Sequence, residues 1–127
     1  MQHLTTICFA LVGLINLAPL IGVLSTGRLA KLYDVTIHNA DLALLMRHRA
    51  VLFGIVGSLL LAASVSPQYR GLAAIAGFAS MLSYIGLAFA LQVTNPKLVQ
   101  IAWVDVVGCV LLAIGVVLHY QDLRSTL

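Results

Sequence analysis

The stretch MRHRAVLFGIVGSLLLAASV, Met46–Val65, sets three basic side chains directly before one of the most apolar runs in the chain. A helix that rises about 1.5 Å per residue needs about 20 apolar residues to cross the hydrocarbon core of a bilayer. Because unpaired backbone groups are costly in lipid, a segment of this kind must be helical. The stretch therefore predicts a membrane-spanning helix whose first part carries Arg47, His48 and Arg49.

Three further segments have the same length and character. The four predicted helices run from about 4–24, 42–65, 69–91 and 98–119. The chain is 61% hydrophobic and 9% charged, whereas soluble domains carry about a quarter charged residues. These features predict an all-α fold, a four-helix transmembrane bundle that forms one integral membrane domain over residues 1–127. The start MQHLTT has no Lys or Arg, so we expect the first helix to be retained rather than cleaved as a signal.

The three connections differ in length. Ser66–Gly71 and Gln92–Lys97 are short and contain Pro or Asn, which predicts that the last three helices are antiparallel neighbours. The first connection, at about 25–41, is longer. Its Leu29 and Tyr33 stand at helical spacing beside basic residues. This pattern predicts a long, partly amphipathic loop with a short helix at the membrane interface.

Each predicted helix carries a polar group at about 9–12 Å below the surface that holds the first and third connections. A charged group that faces lipid costs about 2.5–3.5 kcal/mol, so such groups usually turn inward and pair. We therefore expect an inward polar layer, with Asp105 paired to Arg47 or Arg49. The candidate ligand-binding or ion-pair layer comprises Asn16, Arg47, His48, Arg49, Tyr84 and Asp105.

Three interpretations of this layer stay open. The arginines lie at headgroup level before a short helix, or the layer is inward and only specifies helix packing, or it binds a ligand or moves protons. In the last case the first connection would cap the site through Tyr33, Asp34, His38 and Asp41. No metal site is predicted. His3 and His119 lack ligand spacing and carboxylate support, and His38 with Asp34 and Asp41 could form a hard-metal or proton site, although solvated loop residues are the favoured interpretation.

The charges favour contact with a membrane surface. The net charge of +3 comes from scattered residues, which suits anionic headgroups and gives no support for nucleic-acid binding. Membrane lipids are therefore the expected partners, and an oligomer is compatible with the pattern. The positive-inside rule favours the first connection in the cytoplasm. This count sets Arg28, Lys31, Arg47, Arg49 and Lys97 against Arg70 and Arg124.

Soluble-enzyme motifs are missing from the sequence, including a phosphate-binding loop, a nucleophile elbow and Cys-based zinc spacing. The leading hypothesis is a non-enzymatic accessory or small-ligand-binding subunit with a polar site in one leaflet. The alternatives are a small proton-coupled transporter that uses Asp105 and His48, and a membrane enzyme that acts on lipid or quinone. The sequence specifies no cofactor.

A family resemblance rests on the segments NLAPLIGVLS, RLAKLYDV, DLALLMRHRAVLFG and WVDVVG. With these segments the chain resembles small four-helix bacterial inner-membrane proteins of unknown function, which are similar in layout to the DoxX-like proteins. The resemblance implies an inner-membrane location, with quinone or a membrane protein complex as partner. Sequences of this appearance also carry a phosphopantetheine adenylyltransferase label. This chain departs from that enzyme's pattern, since it has neither the soluble nucleotide-binding α/β domain nor an HxGH motif.

Overall fold

The computed structural model describes residues 1–127, with the side chains at positions 22 and 26 outside the described part. The chain folds as helices, which confirms the predicted all-α class. Its elements are α1 (Gln2–Leu17), α2 (Thr26–Tyr33), α3 (Ala40–Val65), α4 (Arg70–Ala90) and α5 (Pro96–Ser125), with 3₁₀ segments at Ala18–Leu24 and Pro67–Tyr69.

Four segments are long and apolar enough to cross a membrane: Gln2–Ile21, α3, Pro67–Ala90 and α5. Their outward faces keep large apolar side chains exposed, and Leu72 and Phe89, for example, expose 61% and 87% of their surface. An apolar surface of this extent suits lipid and is rare on soluble monomers. The fold is therefore compatible with an integral membrane protein.

The four long helices form a ring. α1 packs against α3 and α5, and α4 packs against the same two helices, so the order around the ring is α1, α3, α4, α5. Val12, Leu60, Met81 and Leu112, one from each helix, are fully buried at its centre. This apolar plug separates the two ends of the bundle.

The backbones of α1 and α3 meet at two glycines. A Cβ placed on Gly57 would lie 2.8 Å from the carbonyl oxygen of Gly13, which is too short for any real side-chain carbon. Small residues at such a crossing let helix backbones approach closely. The α1–α3 contact therefore depends on glycine at both positions.

Two helix ends differ from the sequence prediction. α1 ends at Leu17 rather than at about residue 24, and Ala18–Leu24 continues as a 3₁₀ segment. Pro19 explains the change, because proline lacks the N–H for the helical bond and its ring clashes with the preceding turn. α5 continues to Ser125 rather than to about residue 119. Its 30 residues span about 45 Å, so at least one end projects beyond a hydrocarbon core of about 30 Å.

The short helix predicted in the first connection is α2, whose Leu29 and Tyr33 are buried. The Asn95 side chain joins this connection to the third one. Its Nδ2 donates to the carbonyl oxygens of Tyr33 at 3.3 Å and Asp34 at 2.8 Å, while its Oδ1 accepts from the first turn of α5. We call this arrangement the Asn95 clasp. It holds both connections together at one end of the bundle, the loop-side end.

Candidate functional site

A cavity of about 620 Å³ opens at the loop-side end between α1, α2 and α5. We call it the loop-side cavity. Most of its wall is apolar, with side chains such as Ile15, Pro19, Phe53, Ile101 and Val104. Its polar lining comes from Asn16, Arg28, Lys31, Tyr33, Lys97, Gln100 and Asp105. A mainly apolar cavity with a few polar groups is typical of small-molecule sites, which measure about 300–1,000 Å³.

Asn16 and Asp105 form the deep polar pair of this cavity, with only 2% and 5% of their surface exposed. The Nδ2 atom of Asn16 donates to the Val12 carbonyl oxygen at 2.9 Å, which assigns Oδ1 as the remaining acceptor. Within the part of the chain that the structure describes, Asn16 Oδ1 and Asp105 Oδ2 are buried without a hydrogen-bond partner. A buried acceptor left unpaired costs about 1–3 kcal/mol. Since both residues line the loop-side cavity, each brings a buried acceptor without a partner to its wall.

Arg49 lies beside this cavity inside a cage of three aromatic rings. Its guanidinium carbon is 4.7 Å from the centre of the Tyr84 ring, 5.0 Å from that of Phe53 and 5.3 Å from that of Tyr33. Among the described residues, its buried Nε and Nη2 atoms have no hydrogen-bond partner. Ring faces are electron-rich and attract a cation. The aromatic cage therefore holds the charge of Arg49 mainly through ring faces.

The expected ion pair with Asp105 takes a different form. Of the two arginines, Arg47 is exposed, whereas Arg49 lies against Tyr33 and Phe53, which line the loop-side cavity together with Asp105. Within the described residues, no hydrogen bond joins Asp105 Oδ2 to a guanidinium group. The Arg49 guanidinium is instead surrounded by ring faces.

Arg47 and His48 do not join the layer. Both are exposed, and neither lines the loop-side cavity. The helical geometry explains this, because successive residues turn by about 100° and only one of the three basic positions can face the bundle centre. Arg49 takes that position, and Arg47 and His48 lie on the outer surface of α3.

Tyr84 connects α4 to the start of α5. Its hydroxyl donates to the Leu98 carbonyl oxygen at 3.0 Å, while its ring contacts Arg49. It lines a separate, lipid-side cleft between α3 and α4 rather than the loop-side cavity. Tyr84 therefore supports the aromatic cage and does not line the loop-side cavity.

Of the four residues expected to cap the site, only Tyr33 reaches it. Tyr33 is buried and lines the loop-side cavity, whereas Asp34, His38 and Asp41 are exposed. Burial raises the pKa of the Tyr33 phenol and the Arg49 guanidinium opposes that shift, so the phenol faces the cavity in its neutral form. The described residues hold no group of three or more His, Cys, Asp or Glu side chains that could bind a metal.

A buried arginine lies at the opposite end and was missed by the sequence reasoning, which counted Arg70 as a surface charge. Arg70 is 6% exposed. Its Nε donates to the Ala63 carbonyl oxygen at 3.2 Å, its Nη2 to the Ser64 carbonyl oxygen at 3.5 Å and its Nη1 to His119 Nδ1 at 3.2 Å. The signal was an arginine placed shortly after a helix end, where basic side chains often bond the last carbonyls.

Comparison with protein-family models, with curated proteins and with solved structures gives no match. The resemblance to DoxX-like proteins therefore stays a prediction, and the site is interpreted from its own chemistry.

Proposed function

We propose that this chain is a non-enzymatic, small-ligand-binding protein of the bacterial inner membrane, which holds an amphipathic molecule in the loop-side cavity. The observation that carries the proposal is the deep polar pair, Asn16 and Asp105, in an otherwise mainly apolar wall. By the charge asymmetry of the connections, the loop-side end faces the cytoplasm. The chain would serve as an accessory subunit that presents or stores its ligand in one leaflet.

The deep polar pair favours a hydroxyl group on the ligand. Asn16 Oδ1 requires a donor, because its own Nδ2 is already bonded to Val12. An alcohol donates its one proton to Asn16 Oδ1, and its oxygen accepts from the Asp105 carboxyl when that group is protonated. A quinone offers only carbonyl acceptors and leaves Asn16 Oδ1 unsatisfied. A hydroxyl-bearing amphiphile is therefore the better match.

The centre of the bundle argues against the alternative of a proton-coupled transporter. Transport needs a polar route from the loop-side cavity to the opposite surface. The plug of Val12, Leu60, Met81 and Leu112, all fully buried, lies across that route. Binding from one leaflet needs no passage through this plug.

The test compares two neutral probes that differ by one hydroxyl, methyl 10-hydroxyoctadecanoate and methyl octadecanoate. Thermal unfolding is measured with the protein in phosphatidylcholine nanodiscs, because a ligand that binds the folded state raises its midpoint. We expect the hydroxylated ester to raise the midpoint more than the plain ester. The difference should disappear in Asn16→Leu and in Asp105→Leu.

The matched control is Ser83→Ala, since Ser83 is exposed and bonds only within its own helix. It should respond to both esters as the unchanged protein does. Equal responses of the unchanged protein to the two esters, or no response to either, would contradict the proposed function. Using two deep variants guards against a folding defect in one of them.

A further inference from the structure

Three cations converge on the outer part of the loop-side cavity. Arg28 and Lys31 come from α2 and Lys97 from the start of α5, and all three are exposed while they line the cavity. Asp105 is the one carboxyl group in the lining that the described residues form. The outer part of the cavity is therefore positively charged, and the deep part carries the polar pair.

The two polar regions are well separated. Lys97 precedes Asp105 by eight residues on the same helix, which places them about 12 Å apart along its axis. Between them on α5 the wall is lined by Gln100, nearer the cationic end, and by the apolar Ile101 and Val104, nearer Asp105. A ligand that satisfies both regions needs an anionic group at one end and a hydroxyl farther along an apolar chain.

We infer that the ligand is a single-chain anionic amphiphile with a hydroxyl near mid-chain, of the hydroxy fatty acid class. Its carboxylate lies among Arg28, Lys31 and Lys97, and its hydroxyl reaches the deep polar pair. This inference rests on the proposed function. It adds that the ligand is negatively charged, and it adds the spacing between the carboxylate and the hydroxyl of the ligand. A hydroxyl next to the carboxylate would stop short of Asn16 and Asp105.

The spacing is tested with probes of one chain length in phosphatidylcholine nanodiscs. We expect 10-hydroxyoctadecanoate to bind more tightly than octadecanoate and more tightly than 2-hydroxyoctadecanoate, whose hydroxyl is beside the carboxylate. If the 2-hydroxy and 10-hydroxy acids bind equally, the spacing argument is overturned. Acetate alone tests the free anion and should leave the unfolding midpoint unchanged; stabilisation by acetate equal to that by the long-chain acid would overturn a lipid ligand.

The charge is tested by comparing the 10-hydroxy acid with its methyl ester. Exposed ion pairs contribute about 0.2–1 kcal/mol each, so three cations predict a preference for the acid of about tenfold. The double variant Lys31→Gln, Lys97→Gln should lose most of this preference and still bind the ester. Arg124→Gln is the matched control, because Arg124 is an exposed cation outside the cavity lining.

The outcomes separate the two proposals. If the hydroxylated ester binds but the acid shows no preference, the anionic class is wrong and the binding function stands. If the preference survives in the double variant, the placement of the carboxylate beside Lys31 and Lys97 is wrong. If neither the acid nor the hydroxylated ester binds better than methyl octadecanoate, the proposed function fails together with the inference.

Discussion

Arg49 is partly buried and Arg70 is buried, and the two arginines of this small bundle are held differently. Arg70 bonds the carbonyl oxygens of Ala63 and Ser64 and the ring of His119. Arg49 lies among the rings of Tyr33, Phe53 and Tyr84, and its Nε and Nη2 atoms have no hydrogen-bond partner among the described residues. Fifteen residues of α3 separate Arg49 from Ser64, which is about 22 Å.

The difference shows how a small helical bundle can use the same residue type to stabilise the fold at one end and to build a candidate site at the other. Arg70 supplies donors to the last carbonyls of α3, which have no intrahelical partners. Arg49 supplies a charge next to the deep polar pair, and its Nε and Nη2 atoms have no hydrogen-bond partner among the described residues. We therefore expect stability to depend mainly on Arg70, and ligand binding to depend on the surroundings of Arg49.

The largest expected effect is that of Arg70→Met, which removes the donor to the buried Ala63 carbonyl oxygen, one of two donors to that of Ser64, and the partner of His119. We expect the free energy of unfolding to fall by about 3 kcal/mol, since hydrogen bonds to a charged group contribute about 1.5–3 kcal/mol each and neighbouring losses overlap. Denaturant unfolding in detergent micelles measures it. Arg124→Met, at an exposed position, should change stability by less than about 0.5 kcal/mol. Similar small losses of stability in Arg70→Met and Arg124→Met would disprove the role of Arg70 as a cap at the end of α3.

The next effect concerns the Asn95 clasp. It joins the first and third connections at the loop-side end, where Arg49 lies, and Arg49 is not part of it. Asn95→Ala removes an N-cap, worth about 1 kcal/mol, and two hydrogen bonds to the first connection, so we expect a loss of about 2 kcal/mol. Asn39→Ala is the control, because Asn39 caps α3 through Leu42 and makes no bond to another element. It should lose about 1 kcal/mol. Equal losses in the two variants would show that the clasp adds nothing.

Arg49→Met should destabilise the fold less than Arg70→Met does. Contacts with ring faces are worth about 0.5–2 kcal/mol, and removing a buried charge relieves its desolvation, so we expect a net loss of about 1 kcal/mol. The same unfolding measurement applies. A loss of stability as large as that of Arg70→Met would contradict the expectation that the fold depends more on Arg70 than on Arg49.

The smallest expected effect is at His119, the third partner of Arg70. His119→Leu removes one acceptor while both carbonyl bonds remain, so we expect a loss of about 0.5–1 kcal/mol. His119→Gln keeps an acceptor and should recover part of that loss. If His119→Leu is as damaging as Arg70→Met, the histidine rather than the carbonyls is the main partner of Arg70.

Much of the fold follows from local sequence properties. Long apolar runs predict the membrane helices because helix length and hydropathy are properties of single segments. The break of α1 near Pro19 likewise has a local cause. The polar layer was only partly predictable. The estimated depth along each helix placed Asn16 and Asp105 in one layer. Depth alone does not tell which side of α3 Arg49 occupies.

The burial of Arg70 could not be predicted from the properties of single segments. Its position after a short Pro-containing turn looks like that of a surface charge. The turn folds it back onto the end of α3, where the carbonyls of Ala63 and Ser64 need donors. The convergence of Arg28, Lys31 and Lys97 on one cavity is equally invisible in the sequence, because it depends on how α2 packs over the bundle.

The sequence by itself determined that this chain forms four apolar helices with rare charges, because the cost of exposing backbone or charge to lipid acts on each segment separately. The tertiary structure decided which of the basic residues at 47–49 turns inward, which arginine caps a helix, and that Asn16 and Asp105 share a cavity. These outcomes depend on the rotation and contact of helices around the ring, where side chains distant in sequence compete for the same space.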